Sequence, residues 1–128
     1  MTTIQEHVFW GALDSLVQES RVIIDRPKGS RHPRFPVLTY PVDYGYLEGT
    51  ASMDGGGIDV WRGSSPQPTV DGIICTVDLR KRDSEVKILI GCTPEEMGMA
   101  CEFHNQGTVM KGMLIQRESA NPDRRIET

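Results

Sequence analysis

The chain has 128 residues, a length that suits one compact domain spanning 1–128. Its 14 Lys and Arg against 18 Asp and Glu leave a net charge of −4, so no basic excess exists to displace counterions from nucleic acid. Apolar residues at 38% and charged residues at 25% favour a folded core over disorder, and no apolar run is long enough to cross a bilayer.

The N-terminal MTTIQEHVFW lacks the basic region of a signal peptide. Cys75, Cys92 and Cys101 show no CxxC spacing and read as reduced, buried thiols, and His7, His32 and His104 fit no zinc pattern. These features predict a cytoplasmic protein with no nucleic-acid and no membrane partner.

Residues 4–19 predict a helix, with Val8, Phe9, Ala12, Leu13, Leu16 and Val17 on one apolar stripe and Thr3 and Glu6 forming a capping box. The stripe reads as core, with a homo-oligomer contact as the alternative. Arg21–Asp25 reads as a strand, ended by Pro27 and Gly29. The segment PKGSRHPRFP, 27–36, is too proline-rich for a helix.

Short strands follow at Leu38–Tyr40, Tyr44–Glu48 and Gly57–Trp61. Val70–Leu79 and Val86–Ile90 flank a hairpin tip at RKRDS, 80–84. Thr93 and Pro94 open a second helix expected to reach about Asn105, Met110–Arg117 reads as a last strand, and Glu118–Thr128 as a frayed tail. The fold class is α+β, with the strands closing into a small barrel between an N-terminal and a C-terminal helix.

Carboxylates gather at the turns. Asp54 and Asp59 bracket a glycine turn, Asp78 and Asp83 bracket the basic hairpin tip, and Asp25 ends the first strand. Side-by-side hairpins would bring them to one end of the sheet, where their repulsion calls for a cation, and hard oxygen donors suit Mg²⁺ or Mn²⁺. Lys28, Arg31, Arg34, Arg80, Lys81, Arg82 and Lys87 could face them, an arrangement suited to a small phosphate-containing substrate. Taken singly, each piece has a plainer reading: a DGGG turn is ordinary hairpin chemistry, and RKR between aspartates is a solvated tip.

The order of the pieces is more specific. Ile24-Asp25, Pro27 and Arg34, then Tyr40-Pro41-Val42-Asp43-Tyr44-Gly45-Tyr46, then Asp54-Gly55-Gly56-Gly57-Ile58-Asp59-Val60, with Asp78 and Asp83 beyond, resembles the soluble family I inorganic pyrophosphatases over roughly residues 21–90. The resemblance implies a five-stranded, closed OB-like β-barrel that hydrolyses pyrophosphate with Mg²⁺. It implies metal ligation by Asp54, Asp59, Asp78 and Asp83, with Asp25 at a site-lining acidic position. Arg34 would be a phosphate-binding cation, and Tyr40 and Tyr44 the site tyrosines. Asp59, Asp54 and Tyr44 are thereby the catalytic candidates, and Arg34, Lys28, Tyr40 and Lys87 the substrate-binding ones.

The chain also departs from the family pattern. Gly56 stands at the middle signature aspartate, which orients the attacking water, leaving Glu48 or Asp43 as substitutes. Glu85 stands at a family lysine, leaving Lys87 to replace it. A hairpin is missing between Phe35 and Leu38, and His104-Asn105 falls near the family's Tyr-Lys pair. The reading is slow Mg²⁺-dependent hydrolysis of a phosphoanhydride; the alternative is a metal–phosphate or nucleotide-binding module on the same barrel.

Overall fold

The structure, a computed structural model, describes residues 2–118. Helix α1, Ile4–Gln18, starts as expected: the Glu6 amide donates to Thr3 Oγ1 at 3.0 Å and the Thr3 amide to Glu6 Oε2 at 2.8 Å. Its buried side is narrower than the expected stripe. Trp10 and Val17 face the core with Leu13 and Leu16, while Val8 and Phe9 stay exposed. The indole, larger than either neighbour, takes the inward position.

The strands are β1 Val22–Arg26, β2 Asp43–Leu47, β3 Ile58–Arg62, β4 Val70–Asp78, β5 Asp83–Ile90 and β6 Met110–Gln116, and helix α2, Pro94–Phe103, lies between the last two. They form one sheet in the order β1-β2-β3-β5-β4-β6, antiparallel except where β3 meets β5. The expected closed five-stranded barrel is not what forms. There are six strands, β1 and β6 are the edges, and no ladder joins them among the described residues. Strand β6 runs along the outer side of β4, and Asn105 fixes it there by accepting from the Gly112 amide at 3.1 Å and donating to the Gly112 carbonyl at 3.0 Å. The expected strand Leu38–Tyr40 is reduced to a single bridge, Arg31 to Thr39, because Pro33 and Pro36 remove the donors a ladder needs. The tail from residue 119 onward lies outside the described residues.

Side chains alternate across the sheet, and each face has its own core. Leu47, Val60, Ile73, Ile88 and Ile90 pack with Trp10 and Val17 of α1. On the other face Trp61, Ile74 and Leu89 pack with Met97, Ala100 and Phe103 of α2 and with Tyr40 and Val42. Full burial of Leu89 alone contributes roughly 1.5–3 kcal/mol. Gly45 is required between β1 and β2, since a Cβ there would stand 1.8 Å from the Ile23 carbonyl oxygen. Of the three free cysteines, Cys92 is buried and Cys75 and Cys101 are half-buried. No described helix is long and apolar enough to cross a membrane.

The start of α2 is tied to the β3–β4 connection. Thr93 and Glu96 form a capping box, and both Glu96 oxygens also accept from the Ser64 amide, at 3.2 and 3.1 Å. Burial pushes the Glu96 carboxyl up, but the donors on Thr93 and Ser64 outweigh it and hold it below the ordinary range. Glu96→Ala is expected to cost about 1 kcal/mol in denaturant unfolding at neutral pH, the usual worth of a helix cap. Because the folded-state pKa is depressed, this contribution is present above the ordinary glutamate pKa. It disappears as pH falls through the lowered value, so the two proteins converge in acid.

Candidate functional site

On the face covered by α2, the side chains change character along the strands. Leu89 and Trp61 are apolar beneath the helix. Two residues back on the same face come Lys87 on β5 and Asp59 on β3, set side by side by the parallel register Val60–Ile88. Continuing along β5, Glu85 and Asp83 follow at the same alternation, with Asp78 of β4 opposite Asp83. This charged stretch lines a cleft of about 750 Å³.

The walls come from four segments. Register shifts between Ile24 and Arg26, and Asp25 at this bulge lines the cleft together with its neighbour Arg26. The 27–39 segment supplies His32, Arg34 and Phe35, the β4–β5 hairpin Arg80 and Lys81, and the end of α2 Phe103 and His104. The cleft thus gathers all five predicted aspartates, Asp25, Asp54, Asp59, Asp78 and Asp83, with Tyr40, Tyr44, Arg34 and Lys87. Lys28 is not among the lining residues; its backbone amide donates to Asp43 Oδ1 at 2.8 Å. Neither Asp43 nor Glu48, the substitutes expected for position 56, is among the lining residues.

At the centre, Lys87 Nζ donates to Asp59 Oδ2 at 2.7 Å and to Glu85 Oε1 at 2.9 Å, with Lys87 only 4% exposed. The Tyr44 hydroxyl donates to the same Asp59 oxygen at 2.7 Å. Burial alone would lower the Lys87 pKa, but the two carboxylates outweigh it and the ammonium is held above its ordinary value. Burial, then the charge of Asp59, raises the Tyr44 hydroxyl well above its ordinary value, so the phenol stays protonated. Glu85 Oε2 is buried with no hydrogen-bond partner.

The outer aspartates are partly engaged in turns. Asp54 Oδ1 accepts from the Ser52 hydroxyl at 2.7 Å and the Gly56 amide at 3.0 Å, and these bonds lower its pKa. Asp78 Oδ1 accepts from the Arg80 and Lys81 amides at 2.9 and 3.0 Å, shaping the hairpin tip. Among the described residues, no three His, Cys, Asp or Glu side chains stand close enough together to form a ready-made metal cage. The expected carboxylates therefore converge on one cleft without clustering, and a lysine already neutralises the innermost of them.

The hydroxyl of the buried Tyr40 accepts from Arg26 Nη1 at 3.3 Å. Burial raises the pKa of this hydroxyl, with Arg26 opposing. His32 Nδ1 accepts from the Arg34 and Phe35 amides at 3.1 and 3.2 Å, which folds the short segment that carries Arg34. Burial, then Arg26, Arg34 and Lys81, lowers the His32 pKa. His104 Nε2 accepts from Trp61 Nε1 at 3.1 Å, and burial plus the Lys87 ammonium bring its pKa down to about 3.

Arg26, absent from the sequence candidates, reaches the cleft beside the β1 bulge, which no local pattern announced. Glu85 was visible as a departure, and the alternation Asp83, Glu85, Lys87 was the signal that all three share one face.

No protein-family model matches the chain, and no curated protein matches it in sequence. Solved structures do match. An inorganic pyrophosphatase from Neisseria gonorrhoeae superposes with TM-score 0.56 at 16% identity, covering 70% of this chain and 77% of that one. One from Coxiella burnetii gives 0.54 at 16%, covering 74% and 84%, and one from Helicobacter pylori 0.54 at 13%, covering 84% and 88%. At such identities the likeness is one of fold: the chain has the α+β fold of the bacterial inorganic pyrophosphatases.

Proposed function

We propose that the chain hydrolyses inorganic pyrophosphate, or a similarly compact phosphoanhydride, in this cleft, slowly and with Mg²⁺ or Mn²⁺ as cofactor. The observation that carries the proposal is the convergence of five aspartates with Arg26, Arg34, Arg80 and Lys81 on one cleft of a pyrophosphatase fold. The donor set fits a hard cation. Mg²⁺ takes only one or two carboxylates and completes its shell with water and substrate phosphate, so a cage of three protein ligands is unnecessary. Asp25, Asp54, Asp78 and Asp83 would hold it. A divalent cation in the cleft would neutralise phosphoryl charge and make a bound water more acidic.

The chain's own groups divide the remaining work. Arg26, Arg34, Arg80 and Lys81, all lining the cleft, would bind phosphoryl oxygens and orient the anhydride. Tyr44, protonated and donating to Asp59, is a positioning group rather than a base. Asp59, with Oδ2 engaged by Lys87 and Tyr44, serves chiefly to fix that floor. Position 56 offers no carboxylate to orient a water, hence the slow rate. Arg34→Ala is expected to weaken pyrophosphate binding about tenfold, as loss of one charge-assisted phosphate contact does, in calorimetric titration.

A second reading, binding without turnover, is favoured by the same Gly56 and by the capture of Asp59 by Lys87. Phosphate release from pyrophosphate with Mg²⁺, with Mn²⁺ and with chelator separates the two. Metal-dependent release supports hydrolysis; tight binding with no release supports the module.

A further inference from the structure

The floor of the cleft holds two carboxylates and one ammonium. Asp59 and Glu85 reach Lys87 Nζ at 2.7 and 2.9 Å, so their oxygens already converge on a single point. An Mg²⁺ or Mn²⁺ ion binds carboxylate oxygen at about 2.1 Å, so a cation at that point would need each oxygen to move by less than 1 Å. The group is short of positive charge: two carboxylates face one cation, and Glu85 Oε2, on a side chain only 10% exposed, has no partner. Asp59, at 29% side-chain exposure, opens the cluster to the cleft.

We infer that Lys87 is a built-in counter-cation occupying a latent divalent-metal site between Asp59 and Glu85, so that the inner part of the cleft functions without a metal there. The inference rests on the proposed function only in taking the cleft as a metal–phosphate site. It assigns any cofactor ion to the outer aspartates and makes Lys87 the residue that sets how many ions the cleft takes. A lysine that gives two of its three N–H donors to carboxylates of the floor keeps only one for a phosphate.

The test is Mn²⁺ titration by calorimetry and electron paramagnetic resonance, without pyrophosphate. In the wild type, Asp59→Asn should leave Mn²⁺ affinity within about twofold, since Asp59 is not a ligand while Lys87 is present. Lys87→Met should gain a site at least about tenfold tighter, lost again in Lys87→Met/Asp59→Asn. In chelator its thermal midpoint should fall by about 10 °C or more, because two carboxylates are left facing each other, and Mn²⁺ should restore it.

A tenfold loss of Mn²⁺ affinity in Asp59→Asn overturns the inference, as does a Lys87→Met protein that gains no Mn²⁺ site. If Lys87→Met does not fold in chelator, folding on addition of Mn²⁺ supports the inference, and the Asp59→Asn comparison decides independently. None of these readouts needs turnover, so loss of the proposed activity and loss of this inference are separate results.

Discussion

Gly56→Asp is expected to raise the rate of pyrophosphate hydrolysis about 100-fold over the wild type, the lower range of what a positioned proton acceptor contributes. The backbone accepts the change. Gly56 is not in the left-handed region, and a Cβ there meets only the Asp54 Oδ1 atom, at 3.3 Å, which a side-chain torsion can relieve. The new carboxylate would stand on the turn that carries Asp54, a residue of the cleft lining.

Two controls sharpen the expectation. Gly56→Asn adds the bulk without a proton acceptor and should recover little. Gly55→Asp puts a carboxylate one residue away on a backbone with φ of 85°, where a side chain is strained, and should give no gain. Without metal, the exposed pair at 54 and 56 should cost no more than about 1 kcal/mol, and Mg²⁺ should reverse the loss.

The second large effect is acid sensitivity centred on His104. The imidazole is buried, accepts from Trp61 Nε1, and has its pKa brought down to about 3 by burial and the Lys87 charge. A folded-state pKa below the unfolded value of about 6.5 means that the unfolded chain binds the proton first. The His104 contribution is therefore complete above about pH 6.5 and is lost as pH falls toward 3, amounting to about 2–4 kcal/mol by pH 4. Asp54 and Glu96, whose pKa values are also depressed, add losses in the same direction lower in the acid range. His104→Gln keeps an acceptor for the indole and removes the titration. Its unfolding free energy should vary less between pH 7 and 4 than that of the wild type, by that same difference, in urea titrations at matched ionic strength.

Local chemistry made much of this legible from sequence. The capping box at Thr3, the N-cap at Thr93, the turn at Asp54 and the β4–β5 hairpin each depend on neighbours within a few residues. What was hidden depends on pairing between distant segments. The open sheet follows from β6 adding to β4, and the capture of Asp59 by Lys87 from the parallel β3–β5 pairing across 28 residues. The aspartates could be read as a cation site because their spacing is local. That a lysine from another strand neutralises one of them could not. Choosing Trp10 over Phe9 was likewise a matter of which ring fits the assembled sheet.

Phosphate release from pyrophosphate by the wild-type chain and by Gly56→Asp, in one buffer with Mg²⁺ and again with chelator, tests the account most directly. The expected result is slow release by the wild type, about 100-fold faster release by the variant, and none from either protein in chelator. Absence of Mg²⁺-dependent release from both proteins would contradict it.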